Sequence, residues 1–215
     1  MPPVTRGDVF VISAPSGSGK TTICRALLQR LPGLALSVSY TTRERRPGEK
    51  DGIDYYFVDE EKFDNMLNSK EFLESASVYG RRYGTSRAAV QSIVSQGLDA
   101  VLEIDIQGGR SVKAAVPEAV LVGILPPDWE TLRGRLFARA RDSREEMERR
   151  LTEARQELSA LKGYDYLVVN DDLEMAVRQV EWIVRAQRLR RERSSSAIDR
   201  ILRETGEGRD GSSNG

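Results

Sequence analysis

The sequence predicts an α/β protein of three layers, a mostly parallel sheet core with helices on both faces, interrupted by an inserted, partly β subdomain and a helical arm. Three observations predict it. Short, continuous apolar runs recur along the chain, as strands covered on both faces do. The segments between them are long enough for helical crossovers. A glycine-rich loop joins the first run to a helical repeat.

The first run, VFVI at 9–12, reads as a buried strand. From Thr21 the period changes, with Ile23, Leu27 and Leu31 at helical spacing, and Pro32-Gly33 stops the helix. Runs at 100–106, 120–125 and 167–169 are the further strands. Between 34 and about 96 the texture differs: Tyr40, Tyr55, Tyr56, Phe57, Tyr79 and Tyr83 alternate with Arg, Glu, Gly and Ser, as in a separate β-rich insertion. The helix-favouring stretch 132–161 predicts two helices meeting over an arginine-rich connection. A last amphipathic helix is expected over 173–189, through Ala176, Val180, Ile183 and Val184. The serine- and glycine-containing tail, 194–215, is expected to be disordered. The expected organisation is one domain over 1–215, with its core at about 8–34, 97–131 and 154–190, the insertion at about 35–96 and the arm at about 132–153.

Composition narrows the chemistry. Of 215 residues, 39% are apolar and 31% charged, which describes a soluble globular chain. No apolar stretch approaches the ~20 residues of a membrane span, and the N-terminus lacks the apolar segment of a secretory signal. The single cysteine, Cys24, forms no internal disulfide, so a reducing, cytoplasmic setting is expected. A formal net charge of zero gives no sign of a nucleic-acid partner. With no histidine, Ser-His-Asp and Cys-His catalysis are excluded. Lysine, arginine, carboxylates, hydroxyls and backbone amides remain, a set suited to phosphate.

Directly after the first strand comes Ala14-Pro15-Ser16-Gly17-Ser18-Gly19-Lys20-Thr21-Thr22, a phosphate-binding loop in its strand–loop–helix setting. Gly17 and Gly19 let the backbone curl so that consecutive N–H groups face a phosphate. The helix start adds its positive dipole end. Lys20 would bridge the β- and γ-phosphates of a nucleoside triphosphate, and the Thr21 hydroxyl would ligate Mg²⁺. Ala14 stands where the motif usually begins with glycine, which costs little if its φ is negative.

The residues that follow are Ser37-Val38-Ser39-Tyr40-Thr41-Thr42-Arg43-Glu44-Arg45-Arg46-Pro47-Gly48-Glu49 and Gly52-Ile53-Asp54-Tyr55-Tyr56-Phe57-Val58. Then come Glu71-Phe72-Leu73-Glu74, Tyr83-Gly84-Thr85, Leu102-Glu103-Ile104-Asp105-Ile106-Gln107-Gly108 and Val169-Asn170-Asp171-Asp172. Taken in order, over roughly 8–188, this series resembles the guanylate kinase family. The resemblance implies a P-loop NTPase fold with an inserted GMP-binding subdomain and a helical lid, and transfer of the ATP γ-phosphate to GMP with Mg²⁺. It implies that Arg43, Arg46, Tyr55 and Tyr83 hold the GMP phosphate, and that Ser39, Glu74, Thr85 with Gly84, and Asp105 meet the guanine. It places Arg135, Arg139 and Arg150 at the lid and its flank, and Asn170 near the adenine side of the ATP site. The connection Arg139-Ala140-Arg141-Asp142-Ser143 departs from the family's usual Arg-Gly-Thr-acid pattern, and Glu103 stands where aspartate is frequent.

The residue types fit those roles. Guanidinium forks and phenolic hydroxyls suit a phosphate monoester. Guanine offers N1–H and a 2-amino group to a carboxylate, and O6 to a hydroxyl. Adenine lacks the N1–H and would leave a buried Glu74 partly unpaired. Phosphoryl transfer between two polyanions asks for positioning and positive charge, here Lys20, Arg43, Arg46 and an arginine finger among the lid arginines. The acceptor phosphate, with a second pKa near ~6, is already ionised at neutral pH and needs no histidine base. Two other readings are compatible with parts of the pattern. One is a kinase for a different nucleoside monophosphate, against which Ser39 and Glu74 argue. The other is a catalytically silent module recognising phosphorylated peptides, against which Gly19-Lys20-Thr21 and the lid arginines argue. Monomer and homo-oligomer fit the sequence equally.

Overall fold

The computed structural model describes residues 6–78, 80–138 and 144–204. In chain order the elements are β1 (Val9–Ser13), α1 (Lys20–Arg30), β2 (Leu34–Leu36), β3 (Tyr40–Thr41), β4 (Tyr56–Phe57), α2 (Glu60–Asn68), β5 (Phe72–Val78) and β6 (Arg81–Ser86). They continue as α3 (Arg87–Ser95), β7 (Asp99–Glu103), α4 (Ile106–Ala115), β8 (Val120–Leu125), α5 (Trp129–Ala138), α6 (Arg144–Ala160), β9 (Tyr166–Val169), α7 (Leu173–Arg188) and α8 (Arg191–Glu204).

The core sheet runs β2-β7-β1-β8-β9 and every pairing in it is parallel. Strand alternation in β1 explains the three layers. Phe10 and Ile12 face one way and pack with Ile23 and Leu27 of α1 and Val177, Val180 and Val184 of α7. Val9 and Val11 face the other way and pack with Val90 and Val94 of α3 and Val112 of α4. Because both faces are covered, β1 is buried along its whole length, and this is why it reads as an unbroken apolar run. A second sheet, β4-β3-β6-β5, is mixed, with β3 and β4 parallel and the rest antiparallel. Its own small core gathers Phe63, Met66 and Phe72.

Three boundaries differ from expectation. The run at 100–106 is cut short: β7 ends at Glu103, and the Asp105 carboxylate accepts the Gly108 N–H at 2.8 Å as N-cap of α4. An apolar residue on either side of Asp105 imitates strand alternation, but the cap chemistry decides. The insertion is narrower than 35–96. Leu34–Leu36 forms a half-buried edge strand of the core sheet, and α3 packs on the core beneath β7. Three residues are too few to show a period. Finally, the expected disordered tail begins as α8, Arg191–Glu204, where Arg, Glu, Ala and Leu outweigh the serines in helix preference. Residues 205–215 of that expectation lie outside the described residues.

The end of α7 is tied to the core by a buried charge. Asp99, 1% exposed, accepts from the Asp8 N–H at 2.8 Å and from Arg188 Nε at 2.7 Å, while Arg188 Nη2 also donates to the Pro32 carbonyl. This network sits at the end of the sheet away from the loop, so β1 and β7 are anchored there and deliver their C-terminal ends to one place.

Candidate active site

Both central strands end at the glycine-rich loop, as parallel sheets present their ligands. Gly17 and Gly19 have φ of 87° and 91°, the left-handed region that the curled loop requires. Gly19 is doubly constrained, since a Cβ there would lie 2.3 Å from Asn170 Nδ2. Ala14, buried at the end of β1, needs no glycine: among the described non-glycine residues only Lys70 has positive φ. Pro15 is buried behind the loop, while Ser16 is exposed and Thr22 faces outward from α1. Asn170, at the end of β9, donates its amide to the Ser18 carbonyl at 2.8 Å. It therefore braces the loop from behind.

Lys20 opens α1 and reaches across to β7, where Nζ donates to the Ile104 carbonyl at 2.8 Å. Next to it the Thr21 hydroxyl donates to the Glu103 carboxylate in a short contact. Ser13 Oγ donates to the Asp105 carbonyl at 3.1 Å, so the loop side and the 103–105 segment are stitched together. A hydroxyl and a carboxylate are hard oxygen donors, few in number, and that donor set fits Mg²⁺, which keeps most of its shell for phosphate and water.

The second sheet supplies the opposite wall. Lys20, Ser39, Tyr55, Glu74, Tyr83 and Asp105 line one cavity of about 160 Å³. Glu74 is buried, accepting from the Thr85 hydroxyl at 2.6 Å. Burial pushes its carboxyl up to about 7, the Thr85 hydrogen bond opposing and the Asp105 charge adding. Its other oxygen rests over Gly108 of α4, where an added Cβ would come within 2.6 Å of Oε2. Tyr55 stacks edge-on to Tyr83, and burial, with the Glu103 charge second, raises its phenol to about 12. Tyr55 therefore stays a neutral hydrogen-bonding group at physiological pH.

Arg43 is held at this wall. Its Nη2 donates to Glu49 Oε1 at 2.7 Å, its Nη1 to the Glu44 carbonyl at 2.7 Å, and its guanidinium lies 5.4 Å from the Tyr55 ring centre. Arg46 is not brought in: its side chain is exposed, while its backbone N–H donates to the Glu49 carboxylate at 2.8 Å and its carbonyl accepts the Glu49 N–H at 3.2 Å. Gly84 does not line the cavity either. Its β6 position leaves room for Phe72, whose ring atoms would be 2.8 Å from an added Cβ.

The α5–α6 pair roofs the loop. A side chain at Gly17 would meet Arg135 Cβ, Leu132 and Leu136 at 3.6, 3.7 and 3.8 Å, so Arg135 stands beside the phosphate loop. Arg150 is half-buried on α6. Arg139 lies outside the described residues. Three residues without an assigned role in the sequence belong to the site. Glu103 is the Thr21 partner. Gly108 admits Glu74, and the helix-unfriendly pair Gly108-Gly109 was the signal for such a close approach. Glu157 of α6 lies within the electrostatic reach of Lys20, a relation that no local pattern announces.

A profile of the family described as "Guanylate kinase" matches residues 6–187. The chain belongs to the guanylate kinase family. It is 48% identical to the guanylate kinase of Methylobacillus flagellatus over 188 residues, 87% of this chain and 93% of that one. It is 45% identical to the guanylate kinase of Symbiobacterium thermophilum over 206 residues, covering 96% and 98% of the two chains. The crystal structure of guanylate kinase from Anaplasma phagocytophilum superposes with a TM-score of 0.74 at 34% identity, over 88% of this chain and 90% of that one. The parallel α/β core of the chain matches the fold of that guanylate kinase.

Proposed function

We propose that the cavity between Lys20, Glu74 and Asp105 is where this guanylate kinase joins its two substrates, transferring the γ-phosphate of ATP to GMP to give ADP and GDP. The observation that carries the reading is the shared cavity: the phosphate-loop lysine and the guanine-type donor–acceptor set open onto one space. In this reading the second sheet is the GMP-binding subdomain and α5–α6 the lid. The guanine N1–H and 2-amino group donate to Glu74 and Asp105, while Ser39 and Thr85 offer hydroxyls. Arg43, already oriented by Glu49 and Tyr55, takes the GMP phosphate with Tyr55 and Tyr83. Arg46 joins from its exposed position as the substrate is enclosed.

On the donor side the loop N–H groups and Lys20 receive the β- and γ-phosphates. Thr21 and Glu103 would hold Mg²⁺, which when bound neutralises charge on the transferring phosphates. Lys20 Nζ donates to the Ile104 carbonyl and keeps further N–H donors for charge-assisted bonds to the phosphates. Arg135, whose Cβ stands beside Gly17, acts on the transferring group, with Arg139 and Arg150 sharing the role. Lid closure then excludes water, which would otherwise compete as acceptor. Asn170 acts by fixing the loop through Ser18. The reaction runs in a reducing, cytoplasmic compartment; among the described residues no helix is long and apolar enough to cross a membrane.

The test is Mg²⁺-dependent ADP release from ATP with GMP, AMP, UMP, CMP and dTMP offered in turn. Turnover confined to GMP is expected. Turnover with another base instead would remove the guanine assignment, and none with any acceptor would remove the kinase reading.

A further inference from the structure

Glu157 has no part in the mechanism above, yet it lies where that mechanism needs a phosphate. The lid pair rests on the loop at Gly17 through Leu132 and Leu136, which share a buried cluster with Met147 and Ala154 of α6. Glu157 is about one turn beyond Ala154 and is carried by that packing into a cavity of about 610 Å³. This cavity borders the smaller one through Asp105 and Val78. Four groups act on the carboxylate: the charges of Lys20 on α1, Asp105 at the start of α4 and Glu153 on its own helix, and the Ser16 backbone of the loop. Arg110 lines the same cavity. Burial disfavours its charge most, whereas Lys20 and the Ser16 N–H favour it, and the balance lies at about 7.

We propose that Glu157 is the placeholder anion of the nucleotide-free phosphate loop, engaging the Ser16 N–H and balancing Lys20 until the triphosphate of ATP takes both. The inference rests on the phosphate-loop reading given above. Two anions a few ångströms apart in a half-buried site repel strongly, so the arriving phosphates displace the carboxylate. Displacement loosens α6 from the loop, and Arg150 lies seven residues earlier on the same helix face. Filling of the donor site is thereby passed to the arm that carries a lid arginine.

The test is calorimetric titration of ATP with Mg²⁺, without GMP, into the full-length wild type, Glu157→Gln and Glu157→Asp at pH 8, where the carboxylate is ionised. Glutamine keeps the shape and an acceptor oxygen but removes the charge; aspartate keeps the charge. Glu157→Gln is expected to bind ATP about tenfold more tightly than wild type, and Glu157→Asp within about threefold of it. At pH 6 the gap between wild type and Glu157→Gln narrows. Superimposable circular-dichroism spectra of the three proteins certify the fold. Equal or weaker ATP binding by Glu157→Gln, or an aspartate variant as tight as the glutamine one, would overturn the proposal while leaving the donor site in place. A wild type that binds no ATP would remove the phosphate-loop reading and this inference together.

Discussion

Glu74 shows how one side chain is prepared for a base. Its carboxylate is buried, and that burial, with a second acid nearby, outweighs the hydrogen bonds from the Thr85 hydroxyl and backbone, so its proton is held up to about 7. In the proposed reading guanine brings the N–H groups that the ionised carboxylate lacks, so that base selectivity and burial are one arrangement. The same fact has a consequence for the free enzyme. The folded-state pKa lies above the ordinary value of 4.5, so the stabilising contribution is complete below about 4.5 and is lost as pH rises through about 7. In urea unfolding of the substrate-free protein, wild type is expected to lose stability between pH 5 and pH 8. Glu74→Gln should reduce that loss by on the order of 2 kcal/mol. Glu157 contributes a loss of the same sign that the variant retains. An identical pH dependence in both proteins would mean that Glu74 is not desolvated.

At the scale of elements, α4 does the most to shape the acceptor site. Asp105 caps it and thereby ends β7 early, which turns the chain so that Glu103, Ile104 and Asp105 each meet a different partner: Thr21, Lys20 and the cavity. Gly108, one turn in, costs the helix about 1 kcal/mol against alanine, and Gly109 makes room for the Tyr164 hydroxyl. Gly108→Ala should therefore keep or raise the melting temperature while pushing Glu74 aside, raising the KM for GMP about tenfold with ATP affinity unchanged. An unchanged KM for GMP would show that Glu74 tolerates the methyl group. Legibility in the sequence followed the same physics. The loop was legible because glycines, lysine and threonine must stand at fixed offsets behind a strand, and Glu74 and Thr85 because they belong to an ordered series of motifs. Leu34–Leu36 was not, being three half-exposed residues at a sheet edge. Nor was the end of β7, where a capping aspartate between two isoleucines imitates a strand. Glu157 comes within the electrostatic reach of Lys20 across 137 positions of chain, and such a relation is made by tertiary packing alone.

At the scale of the molecule, two sheets and a roof converge on one space. The parallel sheet, anchored at its far end by Asp99 and Arg188, sends β1 and β7 to the phosphate loop. The mixed sheet brings Ser39, Tyr55, Glu74 and Tyr83 against it, and α5–α6 covers the loop at Gly17. Under the proposed function, transfer between two polyanions depends on enclosure, with positive charge from Lys20 below, Arg43 at the side and Arg135 above. The central claim, that this cavity reads guanine through Glu74, is tested most directly by kcat/KM for GMP and AMP in wild type and in Glu74→Gln. Wild type is expected to favour GMP by at least ~10³, and the variant to lose on the order of 10²–10³ on GMP and almost nothing on AMP, so that the preference collapses. A variant that keeps its preference for GMP would contradict the account, and the guanine would have to be read elsewhere in the chain.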